Sequence, residues 1–137
     1  MSIVLDASMA LAWCFADEAR DTDVRLLDRL RGETIDVPAL WRLEIANVLA
    51  LAERRGRITA VDIATFLDLL SALEVNIDVQ TSDRAFTEIF GLARSHALTA
   101  YDAAYLELAM RLGGALASKD QALCKAAERL GVVVVAA

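Results

Sequence analysis

The 137-residue chain carries one histidine, two cysteines and two lysines, and it has no long apolar run. Each shortage closes off a class of function. The longest uninterrupted apolar stretch, Met9 to Ala16, is eight residues, against the roughly 20 that a membrane helix needs. No basic segment precedes it and Asp6 interrupts the approach, so neither a membrane span nor a secretory leader is expected, and the expected address is the cytoplasm. A lone His96 supplies neither a Ser-His-Asp triad nor a histidine zinc site. It falls at the end of a helical pattern, where a cation suits the dipole. Cys14 and Cys124 lie in helical patterns with no CxxC spacing, and they read as buried thiols rather than as a disulfide or a metal site. There is no low-complexity segment, linker or internal repeat. Positive charge is short as well: the formal net charge is −6, which on total charge alone suits nucleic acid poorly. Yet 12 of the 14 basic residues are arginine, whose planar fork matches phosphate. Where the negative charge sits matters more than its sum.

What the chain has in quantity is apolar surface. Its hydrophobic fraction is 57% and its mean hydropathy +0.43. The length suits one domain, 1–137, with elements buried on two faces and an apolar surface left for a partner.

Ile3-Val4-Leu5 reads as a short strand buried on both faces, ending on Asp6. Helical patterns follow over 7–15 and 22–31, the second turning Leu27 and Leu30 inward and stopping at Gly32. Ile35-Asp36-Val37 is a second strand. Pro38 then opens the strongest helix, Ala39 to Arg55, closed by Gly56. Thr59-x-x-Asp62 is a capping box for the next helix, with Ile58 and Ile63 as its hydrophobic staple and Ile63, Phe66, Leu67, Leu70 and Leu73 as its apolar face. The two helices form a hairpin. Val75 to Val79 is a strand near a sheet edge, Ser82 caps a helix to about Arg94, and Thr99 caps another to about Leu112. Ala115-Leu116-Ala117 is a strand, Asp120 to Leu130 a helix capped by Ser118, and Val132 to Val135 a last strand. Strand and helix alternate, so the fold class is α/β: a central, mostly parallel sheet in three α/β/α layers, with the hairpin protruding.

Four acids stand out. Glu44 lies inside the apolar stripe Trp41, Ile45, Val48, Leu49 and Ala52, where a carboxylate is rare unless paired or ligating. A buried ion pair with an arginine explains it equally well. Asp102 shares an inward face with Leu106 and Ala109, yet it also completes a capping-box pattern with Thr99. Asp6 and Asp120 follow strands, where ligands bind in open α/β sheets, and each is also placed to cap a helix. Brought together, four carboxylates repel: two charges about 4 Å apart cost about 4 kcal/mol at an effective dielectric near 20. Such a cluster needs cations. Ligands that are all oxygen select hard ions, Mg²⁺ or Mn²⁺, and two such ions can clamp both reacting oxygens of a phosphodiester.

The order of these motifs is more specific than any one of them. A strand ending in Asp6-Ala7-Ser8, then Leu43-Glu44-Ile45-Ala46-Asn47, then Tyr101-Asp102-Ala103, then Ala117-Ser118-Lys119-Asp120 with Leu123, resembles the PIN domain. Within it the likeness is to the VapC toxins of bacterial toxin–antitoxin pairs, and it covers the whole chain. The resemblance implies a Mg²⁺- or Mn²⁺-dependent endoribonuclease whose metal-binding and catalytic acids are Asp6, Glu44, Asp102 and Asp120, supported by Ser8, Asn47 and Ser118. It further implies an RNA substrate, a homodimer and an inhibiting antitoxin. The alternatives are an RNA-processing nuclease of this fold without an antitoxin, and a non-catalytic RNA- or partner-binding module. Apolar parts of the hairpin, Ala39 to Leu73, are the expected dimer contact. Arg42, Arg84 and Arg94 are the expected RNA contacts, and Lys119 is expected to face solvent. A receiver-type phosphoacceptor needs paired acids after the first strand, where this chain has Asp6-Ala7-Ser8. A phosphatase with a DxD nucleophile fails at Ser8.

Overall fold

The structure, a computed structural model, describes residues 2–15 and 20–135; Ala16, the end of the apolar run, lies outside them. Its centre is a four-stranded sheet of order β3-β2-β1-β4, built from β1 (Ser2–Leu5), β2 (Thr34–Val37), β3 (Val75–Ile77) and β4 (Ala115–Ala117). Every pairing is parallel. Ile3, Val4 and Leu5 are buried on both faces, which is why β1 reads as a continuous apolar run. The edge strand β3 is only partly buried, matching its alternation of apolar and polar residues.

The helices are α1 (Ala7–Ala12), α2 (Asp21–Leu30), α3 (Trp41–Arg54), α4 (Ala60–Ser71), α5 (Phe90–His96), α6 (Ala100–Leu112) and α7 (Gln121–Arg129). The chain runs β1 to β2 to β3 in one direction and then returns past β1 to β4. Right-handed crossovers therefore put α1–α4 on one face and α5–α7 on the other. Consistently, α1 packs on α3, while α6 packs on β1 and on α7. The direction of winding reverses between β1 and β4, and the crevice of such a sheet opens outside the carboxyl ends of those two strands. Asp6 follows one and Asp120 the other.

The hairpin of α3 and α4 forms as its caps dictate. Thr59 Oγ1 accepts from the Asp62 amide, and Asp62 returns a carboxylate oxygen to the Thr59 amide. Trp41, Ile45, Leu49 and Ala52 of α3 and Phe66 of α4 are buried. Leu67, assigned to the same face, is instead 48% exposed, because it lines a groove between the two helices.

Two elements differ from expectation. The single helix expected after Ser82 is three pieces: a 3₁₀ turn over Ser82–Arg84, a π segment over Ala85–Ile89, then α5. Ser82 caps nothing. The wider π turn shifts the helical phase, so that Ile89 is buried against Ala103 and Ala104 while Phe86 stands 93% exposed. The strand expected over 132–135 is one bridge, Leu116 to Val134, closed by two backbone hydrogen bonds of Leu116.

Gly113 and Gly114 end α6 for different reasons. Gly113 has φ +61, the left-handed cap conformation. Gly114 passes so close to β1 that a Cβ there would lie 2.5 Å from the Ser2 carbonyl oxygen.

Candidate active site

Asp6 is almost fully buried, 4% exposed. Its amide extends the sheet by donating to the Ala117 carbonyl at 2.9 Å, which fixes the carboxyl group between β1 and β4. Oδ2 accepts two hydroxyls, Ser8 Oγ at 2.7 Å and Ser118 Oγ at 2.6 Å. Asp6 precedes α1 but makes no side-chain cap, so its carboxylate is committed to the crevice. Burial pushes its pKa up, the two hydroxyls oppose that, and the charge of Asp120 adds to it.

Glu44 is half-buried in the first turn of α3. Its partner is Tyr105 of α6, whose hydroxyl donates to Oε1 at 2.5 Å, and no arginine pairs with it among the described residues. Burial raises its pKa, the Tyr105 hydroxyl lowers it, and the charges of Asp6 and Asp102 raise it again.

The capping pattern at Asp102 forms only in part, unlike that at Asp62. Thr99 Oγ1 accepts from the Asp102 amide at 3.1 Å, but only half of the box forms: no bond returns from the Asp102 carboxylate to the Thr99 amide. At Asp62 both halves form and the backbone hydrogen bond lowers the pKa. At Asp102 the pKa is instead raised to about 6, by burial first and then by the charges of Asp120 and Asp6. The charges of Asp120 and Asp6 thus reach the Asp102 carboxyl, opposed only by the Thr99 hydroxyl.

Asp120, rather than Ser118, is the N-cap of α7: its Oδ1 accepts from the Leu123 amide at 2.9 Å. Its second oxygen has no partner among the described residues. Ser118 Oγ accepts from the Asp120 amide at 3.0 Å while donating to Asp6, because one hydroxyl can do both. Ser8 and Ser118 therefore tie the ends of β1 and β4 together around Asp6. Asn47, one turn beyond Glu44, is exposed.

The four acids thus come from four separate elements and act on one another electrostatically. In their present positions no three acidic, cysteine or histidine groups among the described residues are drawn close enough to hold an ion. The chemistry of the donor set nonetheless suits a hard divalent cation: the candidate ligands are all oxygen, Asp6, Glu44 and Asp102 are each raised partly by a neighbouring acid, and none of those three has a basic partner among the described residues.

Two features escaped the sequence reading. Tyr105 is one, fully buried on α6 three residues after Asp102; that spacing is the signal, since i and i+3 share a face. The other is Glu107, a second buried acid on α6. It is clamped by Arg111 at 2.9 Å and is therefore structural. Arg111 also makes a fork to Asp78 at 3.0 and 2.7 Å. Of the arginines expected to meet RNA, Arg84 is shared among Gln80, Glu88 and Glu107. Arg94 lies over the Phe90 ring, and Arg42 is exposed. Lys119, expected in solvent, instead pairs with the fully buried Asp23 at 2.9 Å.

A parallel α/β sheet with acids gathered outside β1 and β4 defines a class, the crevice-site α/β proteins. The sequence pattern of the PIN domain matches residues 3–129, and the chain belongs to that family. It is 30% identical over 126 residues to Ribonuclease VapC3 of Pyrobaculum aerophilum, covering 91% of this chain and 94% of that one. Among solved structures, PAE2754 of Pyrobaculum aerophilum superposes with a TM-score of 0.72 at 24% identity, over 98% of this chain and 84% of that one. VapBC2 of Rickettsia felis, bound to a DNA fragment from its promoter, does so with a TM-score of 0.70 at 14% identity and 98% coverage of both chains. These two structures attest the fold.

Proposed function

We propose that this protein is a Mg²⁺- or Mn²⁺-dependent endoribonuclease acting as the toxin of a toxin–antitoxin pair. The observation that carries this reading is that four carboxylates around the sheet's switch point feel one another's charge, with hydroxyls rather than basic groups as the partners of Asp6 and Glu44. The likeness to a ribonuclease over nearly the whole chain supports RNA as the substrate. Asp6, Glu44, Asp102 and Asp120 would hold the cation, which when bound supplies positive charge against the charge that develops on the phosphodiester. The chain's own groups prepare that site. Ser8 and Ser118 hold Asp6, Tyr105 holds Glu44, and the N-terminal turn of α7 holds Asp120, so these three acids are oriented before a cation or substrate arrives. Arg42, two residues before Glu44 and so on another face of α3, lines the groove of the hairpin.

The same reading assigns the protein to the cytoplasm, with an antitoxin as inhibitor and a second copy of the chain as partner. No helix among the described residues is long and apolar enough to cross a membrane. The hairpin carries apolar surface suited to a protein partner: Leu43 and Val61 are each 74% exposed, and a groove of about 560 Å³ runs between Trp41, Ile45, Leu49 and Leu70.

The test is cleavage of RNA with Mg²⁺, with Mn²⁺ and in chelator, beside an Asp6→Asn control. Cleavage is expected only with a metal and only in the wild type. Activity that survives chelation rejects the metal, and an Asp6→Asn protein of full activity rejects the site.

A further inference from the structure

Residue 119 is held from both ends. Its amide donates to Ser8 Oγ at 3.1 Å, and its ammonium reaches Asp23 Oδ2 at 2.9 Å. Asp23 is 0% exposed, in the first turn of α2, where the same Oδ2 also accepts the Arg20 amide at 3.0 Å and starts the helix. Its carbonyl takes the Trp13 indole N–H at 2.8 Å. On the other side, Ser8 and Ser118 both donate to Asp6, and Ser118 accepts the Asp120 amide. The short loop between β4 and α7 is thereby fastened to two other elements, by hydroxyls at its inner side and by an ion pair at its outer side.

We propose that Lys119 and Asp23 form a positioning pair that sets the Ser118-Lys119-Asp120 loop against Asp6; the proposal rests on the metal-dependent nuclease reading above. A carboxylate with no solvent contact cannot be left unpaired without heavy cost, so Asp23 holds the lysine side chain in one place. The lysine backbone is then held too, and with it the amides that orient the hydroxyls of Ser8 and Ser118. A lysine beside a candidate catalytic acid otherwise suggests a phosphate contact. Here its head is turned to α2 and engaged there.

The pair is tested with Lys119→Met, Asp23→Asn, their double variant and Lys119→Arg. Amide hydrogen exchange is followed in metal-free protein, Mn²⁺ affinity by titration, and kcat and KM on RNA. Each single variant should speed exchange at residues 118–120 while β1 and α6 stay protected. Each should weaken Mn²⁺ binding about 10-fold and lower kcat with KM unchanged. The double variant should be no worse than the worse single one, since both remove one interaction, and Lys119→Arg should restore the wild-type values. If Lys119→Met does not fold, the double variant, which leaves no buried charge unpaired, carries the comparison. A raised KM with a flatter salt dependence in Lys119→Met, beside a wild-type Asp23→Asn, would make Lys119 a phosphate contact and overturn the proposal. So would exchange that rises throughout the protein with Mn²⁺ affinity unchanged, which marks a pair that only stabilises the fold. If the wild type binds Mn²⁺ but cleaves no RNA, the nuclease reading fails while exchange and affinity still judge the pair.

Discussion

The Tyr105 hydroxyl donates to Glu44 Oε1 at 2.5 Å, joining residues 61 positions apart. The bond links the two helices that each contribute one acid from a helical turn, α3 with Glu44 and α6 with Asp102. The phenol is fully buried, and the carboxylate holds its proton tightly, raising its pKa well above the ordinary value after burial has already done so. Tyr105 is therefore a permanent donor at any pH the protein meets. It fixes which oxygen of Glu44 is left for the crevice.

Tyr105→Phe keeps the ring and removes that donor. A half-buried acceptor left unsatisfied should cost about 1–2 kcal/mol, read as a lower midpoint in urea. The hydroxyl is the one influence lowering the Glu44 pKa, so that pKa should rise further. Loss of a group that orients a ligand should weaken Mn²⁺ and slow cleavage by about 10-fold or more. Unchanged cleavage would mean that Glu44 needs no orientation.

The carboxyl shifts set an unusual pH dependence in chelator. Asp102 is raised to about 6, and Asp6 and Glu44 are raised too, so the folded state binds protons more tightly than the unfolded chain. Stability should then increase as pH falls from about 6 toward the ordinary value of 3.8. Asp78 works the other way. Arg111 holds its pKa down, and the stability it contributes above 3.8 is lost as pH falls through that lowered value. The chelated protein should thus be most stable near the ordinary carboxylate range, and excess Mn²⁺ should move the optimum upward. Urea midpoints from pH 3 to 7 decide this; a metal-free optimum at neutral pH would contradict it.

Both the backbone plan and the acids were legible for local reasons. Short apolar runs announced the strands, Thr59-x-x-Asp62 announced its box, and Glu44 was conspicuous inside an apolar stripe. What escaped was set by distance in sequence. Nothing near Glu44 names Tyr105 as its partner, and nothing near Lys119 names Asp23, 96 positions away. The π turn before α5 answers to the packing of Ile89 rather than to any local propensity. Asp102 shows the limit most clearly: its sequence pattern with Thr99 is the same as that of Asp62 with Thr59, yet burial and the charges of Asp120 and Asp6 push its pKa the opposite way.

The two glycines after α6 should separate conformational strain from collision. Gly113→Ala places a Cβ with nothing within 4 Å but at φ +61, and should cost about 1 kcal/mol. Gly114→Ala drives a Cβ against the Ser2 backbone, which cannot move without shifting β1. It should cost about 1–3 kcal/mol and also reduce cleavage, because Asp6 rides on that strand. Equal effects of the two variants on cleavage would show that the β1 position is not transmitted to Asp6.

Glu44→Gln gives the sharpest test of the site, because the two roles open to a half-buried acid predict opposite signs. The glutamine oxygen can still accept the Tyr105 hydroxyl, so the hydrogen bond survives. What disappears is a charge that stands against Asp6 and Asp102. In chelator the variant should be as stable as the wild type or slightly more so. Metal should then stabilise it less, since stabilisation follows RT ln(1 + [L]/Kd) and the affinity has fallen. A tenfold weaker Kd removes up to about 1.4 kcal/mol of that gain at saturating Mg²⁺, and cleavage should fall by orders of magnitude. Had Glu44 been balanced by a buried cation, neutralising it would instead have cost about 3–5 kcal/mol. Thermal melts of both proteins, in chelator and in excess Mg²⁺, distinguish the cases. A variant that melts far below wild type in chelator, yet gains as much from Mg²⁺, removes Glu44 from the metal site.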